Sequence, residues 1–190
     1  AMLAERFRAL DTAFAGVPHR IHYALKANST LGLVEVLRRQ GAAADVNSGG
    51  ELEVALAAGF SPAEIVFTGV GKTRAEITRA VELGVAALNA ESFGEVDRIA
   101  AIASRLGRTA NIALRINPDV EADTHRHIAT GAHTTKFGVS LDEARAMLRD
   151  VARHDALRVV GLHVHVGSQI TQVEPFAQGV GVVVAFATEL

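Results

Sequence analysis

The feature that most constrains the fold of this chain is a regular alternation of short apolar segments with amphipathic helical segments. The apolar segments have the length of strands and are predicted at 20–25, 42–46, 64–68, 85–89, 109–116 and 157–166. Apolar side chains at helical spacing predict helices at 3–14, 31–39, 51–58, 74–83, 93–106, 141–151 and from 174 onward. Strands that are apolar along their length are covered on both faces and pair in parallel, so we expect an α/β protein.

Polar or small residues stand at the carboxyl ends of most predicted strands, namely Lys26, Asp45, Thr68, Asn89, Arg115 and Ser168. In a barrel these ends meet at one mouth, whereas in an open doubly wound sheet they spread along an edge. We therefore expect a (β/α)8 barrel of the TIM type. A closed barrel has eight βα units and runs to roughly 250 residues. Because only about six units are found here, we expect residues 1–190 to form one barrel domain that is incomplete at both ends.

The composition is that of an ordinary globular protein, with 49% hydrophobic residues and a formal net charge of -2. This charge gives no reason to expect nucleic acid or an acidic membrane as a partner. Cysteine is absent, which excludes disulfides and thiolate chemistry within this sequence. No apolar run reaches the roughly 20 residues of a membrane span. The N-terminal residues are charged, unlike a signal peptide, so we expect a cytoplasmic protein.

Lys26 closes an apolar predicted strand within the sequence Tyr-Ala-Leu-Lys-Ala-Asn at 23–28. A lysine at the end of a buried strand, among small and apolar neighbours, is poorly solvated as an ammonium, and this favours the neutral amine. A neutral amine can attack a carbonyl and form a Schiff base. The simpler interpretation is a lysine that marks where a strand leaves the core, and the residues farther along the chain decide between the two.

The segment 161–169 places His163 and His165 on one face of a predicted strand. Both imidazoles are expected to point into the barrel. His165 is nearer the mouth, where it can stack on an aromatic ring, ligate a metal or transfer a proton. For His163 we favour a core histidine satisfied by hydrogen bonds. Gly167-Ser168 offers N–H groups and a hydroxyl to an anion. A metal-dependent barrel hydrolase using the two histidines and Asp45 stays open as an alternative.

Arg115 lies in a predicted strand, and a buried guanidinium must be paired. A phosphate or carboxylate ligand can serve, and so can a structural ion pair with Asp45 or Glu51. Both possibilities are kept at this point, and Asp45 can also be a helix-cap or turn residue. Three further histidines fall in an irregular polar segment at 119–135 and are expected to be exposed: His125, His127 and His133.

Five sequence patterns, in order along the chain, resemble those of the fold-type III pyridoxal-phosphate-dependent decarboxylases, closest to the diaminopimelate decarboxylase branch. They are Y-A-x-K-A-N at 23–28, D-V-x-S-G-G-E at 45–51, L-R-I-N-P at 114–118, [ST]-K-F-G at 135–138 and G-L-H-x-H-x-G-S-Q at 161–169. The resemblance implies an alanine racemase-like barrel that binds pyridoxal 5'-phosphate. The implied reaction is decarboxylation of meso-2,6-diaminopimelate to L-lysine in lysine biosynthesis, in a homodimeric full-length enzyme.

The resemblance also implies a role for each candidate residue. Lys26 is implied to hold the cofactor as a Schiff base, and His165 to stack on its pyridine ring. Ser168 is implied to bind the phosphate. Asp45 is implied to lie near the Schiff-base side, and Arg115 to support the acidic groups around the cofactor.

Several parts of that family are not in this sequence: a later glycine-rich phosphate loop, a Glu-Pro-Gly-Arg segment and a C-terminal β-domain. We therefore expect the chain alone to present Lys26 but to turn over poorly. On the same scaffold, an ornithine, arginine or carboxynorspermidine decarboxylase or an alanine racemase-like enzyme is the nearest alternative. A non-catalytic pyridoxal-phosphate-binding barrel is another. Open sheet edges at the missing units also predict self-association.

Overall fold

The computed structural model describes residues 2–118, 137–168 and 170–190. Three features predicted from the sequence lie outside these residues. They are the polar segment at 119–135 with its three histidines, the first two residues of the motif at 135–138, and Gln169. Within the described ranges, no helix combines the length and the apolar character needed to cross a membrane.

Strands and helices alternate as the sequence predicts, and most bounds agree within a few residues. The strands are β1 His22–Ala24, β2 Ala43–Val46, β3 Ile65–Phe67, β4 Ala87–Ala90, β5 Ala110–Ile116 and β6 Leu157–Val164. The helices are α1 Met2–Ala13, α2 Leu31–Arg39, α3 Gly49–Ala57, α4 Arg74–Leu83, α5 Phe93–Arg105, α6 Leu141–Val151 and α7 Glu174–Thr188. Short 3-10 turns cover Leu25–Ala27 and Pro62–Glu64.

The described strands form one parallel sheet in the order β1-β2-β3-β4-β5-β6. In a doubly wound sheet the order reverses at a switch point, whereas in a barrel each strand is added beside the previous one. The sequential order therefore confirms the prediction of a partial TIM-type barrel. Within the described part of the chain, β1 and β6 are the two edges of the sheet.

The main hydrophobic core lies between one face of the sheet and the helices. Its members from the strands alternate along each strand, as expected when every second side chain shares a face, and include Val46, Phe67, Leu88, Ile112 and Leu114. Helices α3, α4 and α5 contribute Leu52, Ile77 and Ile99. Because this face takes the apolar side chains, the polar residues of the strands are left on the opposite face, which corresponds to the barrel interior.

The helix starts show where capping residues set the bounds. Ser92 and Ser140 cap α5 and α6 as predicted, each accepting a hydrogen bond of 3.3 Å from the backbone three residues on. The prediction that α3 begins at residue 51 is wrong by two residues, because the Ser48 side chain caps this helix and allows it to begin at Gly49.

Candidate active site

A row of hydrogen-bonded polar side chains crosses the carboxyl ends of β2, β3 and β4. Asn89 on β4 donates from Nδ2 to the Thr68 hydroxyl, 2.8 Å away, and Thr68 is hydrogen-bonded to the Asp45 carboxylate on β2. Asn89 and Thr68 are both buried. The predicted convergence of polar strand ends is thus confirmed for these three residues.

Asp45 lies beside the first strand, since it pairs in register with Ala24 of β1. Burial raises the pKa of Asp45, although the hydrogen bond from Thr68 and the positive charge of Lys26 act in the opposite direction. Its Oδ1 atom is buried and accepts no hydrogen bond from any residue that the structure describes. Because Ser48 caps α3, the helix-cap interpretation of Asp45 is wrong.

Lys26 lies just beyond β1, in the 3-10 turn Leu25–Ala27 rather than in a strand. Its side chain is exposed, so the prediction of a poorly solvated lysine is wrong. The physical reason is that β1 ends at Ala24 and the chain turns at once, so that Leu25 takes the buried position and Lys26 is carried past the end of the strand. An exposed amine at this end of the barrel is open to a ligand that approaches from the mouth.

His163 and His165 come near the same place from the opposite edge of the sheet. His163 is the penultimate residue of β6 and is partly buried, whereas His165 follows the strand and is exposed. Burial, followed by the charge of Arg115, lowers the pKa of His163 to about 4. The same two causes, with the charge of Lys26, lower the pKa of His165. Both imidazoles are therefore neutral at neutral pH.

The prediction that His163 is a core histidine satisfied by hydrogen bonds is wrong for one ring nitrogen. His163 Nδ1 is buried and has no hydrogen-bond partner within residues 2–118, 137–168 and 170–190. His163 pairs in register with Arg115 of β5, so the two side chains leave the sheet on the same face. The positive charges that lower the pKa of His163 include that of Lys26, which follows β1 at the other edge of the described sheet.

Arg115 is only 7% exposed, and its guanidinium is paired, as a buried charge requires. The partner is Glu91, whose Oε1 accepts from Arg115 Nη1 at 2.7 Å. The sequence-based expectation of Asp45 or Glu51 as the structural partner is wrong. Glu51 instead accepts from the backbone N–H of Asn47, at 2.8 Å, and its side chain thereby closes the turn after β2.

A buried ion pair that the sequence did not reveal lies behind this site. Lys72 Nζ donates to Glu95 Oε1 at 3.0 Å and to the carbonyl of Asn89 at 2.6 Å. Lys72 and Glu95 are each 4% exposed. They are 23 residues apart in the sequence, so no local pattern links them. The only signal available was Ser-x-x-Glu at 92–95, which predicts a helix start and not an ion pair.

Ser168 and the metal-site alternative complete the list of sequence-based candidates. Ser168 is exposed in the segment after β6, and its part in a site stays a prediction. Among the described residues, the ligand atoms of Asp45, His163 and His165 do not converge as a metal site requires. The group that does converge consists of Asp97, Asp150 and His154, and it involves the outer helices α5 and α6.

The polar interior matches the needs of a small polar ligand such as pyridoxal phosphate. Four described side chains near the carboxyl ends of β2, β5 and β6 each keep a buried polar atom without a hydrogen bond: Asp45 Oδ1, Asn47 Nδ2, Arg115 Nε and His163 Nδ1. Buried polar groups are normally satisfied, so these four atoms call for an explanation. Two donors, a carboxylate and an imidazole beside an exposed amine suit an anionic aldehyde with an aromatic ring. The residues present therefore fit this cofactor.

Comparison with known proteins agrees with this geometry. The family described as "Pyridoxal-dependent decarboxylase, pyridoxal binding domain" matches residues 1–190. A diaminopimelate decarboxylase of Pseudomonas aeruginosa is 49% identical over 93% of this chain and 42% of its own length. The corresponding protein of Pseudomonas fluorescens is 44% identical over 100% of this chain and 46% of its own.

A solved structure of diaminopimelate decarboxylase from Helicobacter pylori, in complex with L-lysine, superposes with a TM-score of 0.92. It is 40% identical, and the match covers 99% of this chain and 48% of that one. This chain thus spans less than half the length of each of these relatives. With the family matched over the whole chain and the partial barrel in place, the chain belongs to the pyridoxal-dependent decarboxylases, whose pyridoxal-binding domain it represents.

Proposed function

We propose that this chain is the cofactor-binding part of an enzyme that decarboxylates meso-2,6-diaminopimelate to L-lysine. The observation that carries the proposal is the exposed Lys26 amine, at the end of β1 and within electrostatic reach of Asp45, His163 and His165. The choice of substrate is supported by relatives of 44–49% identity, all named diaminopimelate decarboxylases. Because the chain covers less than half of them, the activity of the whole enzyme is part of the proposal.

Lys26 is proposed to attach the cofactor covalently through its amine. When bound, pyridoxal phosphate supplies an electron sink that accepts the electrons of the broken carbon–carboxylate bond. The task of the protein is to orient the reacting groups and to set the charges around them. Asp45, which lies beside Lys26, is proposed to orient the amine and to hold a proton near it.

The low pKa of His165 suits a ring that packs against the cofactor. A neutral imidazole can lie flat on an electron-poor pyridine ring, whereas an imidazolium there would add a positive charge to be desolvated. Ser168 and the backbone that precedes it are proposed to donate hydrogen bonds to the phosphate. Arg115 is proposed to present a fixed positive charge at the inner side of the site. We also propose a cytoplasmic location and a homodimeric full-length enzyme, on the basis of the family resemblance.

The proposal is tested by binding and by substrate choice. Pyridoxal phosphate is titrated into the purified chain and into the Lys26→Ala variant, and its visible absorbance is followed. We expect a Schiff-base band with the unmodified chain and none with the variant, because the neutral methyl group cannot attack the aldehyde. The control is Glu53→Gln. Glu53 forms an exposed ion pair with Arg79, so this variant is expected to behave like the unmodified chain.

The loaded chain is then exposed to meso-diaminopimelate, ornithine and arginine in turn. A spectral change that saturates at lower concentration with diaminopimelate supports the proposed substrate, even where turnover is slow. A stronger response to ornithine or arginine would assign the chain to another decarboxylase of this fold. Cofactor binding without response to any amino acid would favour a non-catalytic pyridoxal-phosphate protein.

A further inference from the structure

The Arg115 guanidinium is the last member of a hydrogen-bonded series of charged groups that extends away from the cofactor site. Glu91 accepts from Arg115 at 2.7 Å through its side chain. The backbone N–H of Glu91 donates to Glu95 Oε2 at 2.9 Å, and Glu95 Oε1 accepts from Lys72 at 3.0 Å. Thus Lys72 fixes Glu95, Glu95 fixes the backbone that carries Glu91, and Glu91 fixes Arg115.

The four charged side chains of this series are all largely removed from water. The side chains of Lys72 and Glu95 are 0% and 5% exposed, and those of Arg115 and Glu91 are 8% and 13% exposed. Two such pairs are weak contributors to stability, because the cost of desolvating the charges offsets much of their attraction. What they do provide is a fixed geometry, since each charge must keep its partner. A positioning role therefore explains the arrangement better than stability does.

Arg115 is constrained on a second side as well. Its Cζ atom lies over the Phe137 ring, 5.4 Å from the ring centre, as in a cation–π contact. With Nη1 bonded to Glu91, the guanidinium keeps one buried donor, Nε, that has no hydrogen-bond partner among the residues that the structure describes. Arg115 is also in register with His163, whose Nδ1 is buried and likewise has no partner in the described part of the chain.

We propose that Glu91, Glu95 and Lys72 are positioning residues that hold the Arg115 guanidinium in one orientation, so that its Nε–H, which no described residue accepts, is presented to the anionic cofactor. The identity of the ligand rests on the proposed function, whereas the electrostatic link between Glu91 and Arg115 can be tested without any ligand. None of the three positioning residues is expected to touch the cofactor.

The test compares Glu91→Gln with the unmodified chain. On Coulomb attraction alone, removing a negative charge near the site would strengthen the binding of anionic pyridoxal phosphate. The positioning role predicts the opposite, about tenfold weaker binding, as is common when the group that orients a ligating residue is removed. The control is Glu53→Gln, the same chemical change in an exposed ion pair with Arg79. Equal or tighter binding by Glu91→Gln overturns the proposal.

A second readout needs no cofactor. The charged and titratable groups that face His163 are Arg115 on β5, His165 after β6, Lys72 before α4 and Lys26 after β1. In Glu91→Gln the Arg115 charge is no longer balanced, so the pKa values of His163 and His165 are expected to fall further. They are followed by NMR titration of the imidazole signals in each variant. Unchanged values overturn the proposal even if cofactor binding is altered.

The double variant Lys72→Met with Glu95→Gln tests the end of this series that lies farthest from the cofactor site. It removes both charges of the buried pair and so leaves neither of them unpaired. It is expected to stay folded by circular dichroism and to bind pyridoxal phosphate more weakly than the unmodified chain. Binding equal to that of the unmodified chain removes Lys72 and Glu95 from the proposal. If the unmodified chain binds no cofactor, the proposed function fails, and unchanged histidine pKa values in Glu91→Gln would still overturn the link between Glu91 and Arg115.

Discussion

Replacing Lys72 by methionine is the most informative test of how the interior of this barrel is held together. Methionine keeps an unbranched apolar chain but removes the charge. Lys72 Nζ donates to Glu95 at 3.0 Å and to the Asn89 carbonyl at 2.6 Å, and its side chain is 0% exposed. The substitution therefore leaves the Glu95 carboxylate buried and without its cation.

The expected loss of stability in Lys72→Met follows from the burial of this ion pair. Removing one partner of a buried ion pair costs about 3–5 kcal/mol in the free energy of unfolding, because the remaining charge is desolvated and uncompensated. For a domain of this size that corresponds to a fall in Tm of roughly 6–20 °C. In the double variant with Glu95→Gln the charge penalty is removed. The expected loss is then only about 1–3 kcal/mol, for the Asn89 carbonyl that is left without a donor.

The assay is urea unfolding followed by far-UV circular dichroism, since the chain has no tryptophan to report on its fold. The single and double variants form a double-mutant cycle together with Glu95→Gln. We expect the double variant to lose less stability than the sum of the two single variants. Additive losses, or a loss below about 1 kcal/mol for Lys72→Met, would refute the reasoning, because a buried ion pair must show coupling.

Two further predictions concern the turns and the titrating groups of the site. A Cβ atom at Gly69 would lie 2.0 Å from the carbonyl oxygen of Asn47, so Gly69→Ala must displace the turn after β2. We expect it to cost at least about 1–3 kcal/mol in urea unfolding, whereas Gly32→Ala, which meets nothing within 4 Å in α2, is neutral or stabilising. The pKa of His163 is about 4 in the folded chain, below its unfolded value. Stability that is fully present above pH 6.5 should therefore fall by up to about 3 kcal/mol as the pH drops towards 4, and a His163→Asn variant should lack this loss.

Local signals in the sequence were enough to place the elements. The helix at 74–83 was predicted with the bounds that α4 has, and Ser92 and Ser140 cap their helices as expected. The apolar strands with polar carboxyl ends also predicted a parallel barrel, because both features reflect how such a sheet is covered and where it opens. Asp45, Thr68 and Asn89 then met at the barrel interior as this geometry requires.

The two buried ion pairs could not be predicted from local signals in the sequence. Glu91 and Arg115 are 24 residues apart, and Lys72 and Glu95 are 23 apart, so their pairing depends on the three-dimensional positions of neighbouring βα units. The exposure of Lys26 was missed for a different reason. The sequence pattern predicts an apolar strand but does not show that the strand ends at Ala24, where the 3-10 turn begins.

Chemical trapping of the cofactor on its lysine would test the assignment of this site most directly. The chain contains only three lysines, Lys26, Lys72 and Lys136, and Lys72 is buried in an ion pair. Pyridoxal phosphate is added, the product is reduced with borohydride, and the modified peptide is located by mass mapping. We predict that the label is on Lys26 and is lost in Lys26→Ala. A label on Lys72 or Lys136, or no label at all, would contradict the assignment of Lys26 as the residue that holds the cofactor.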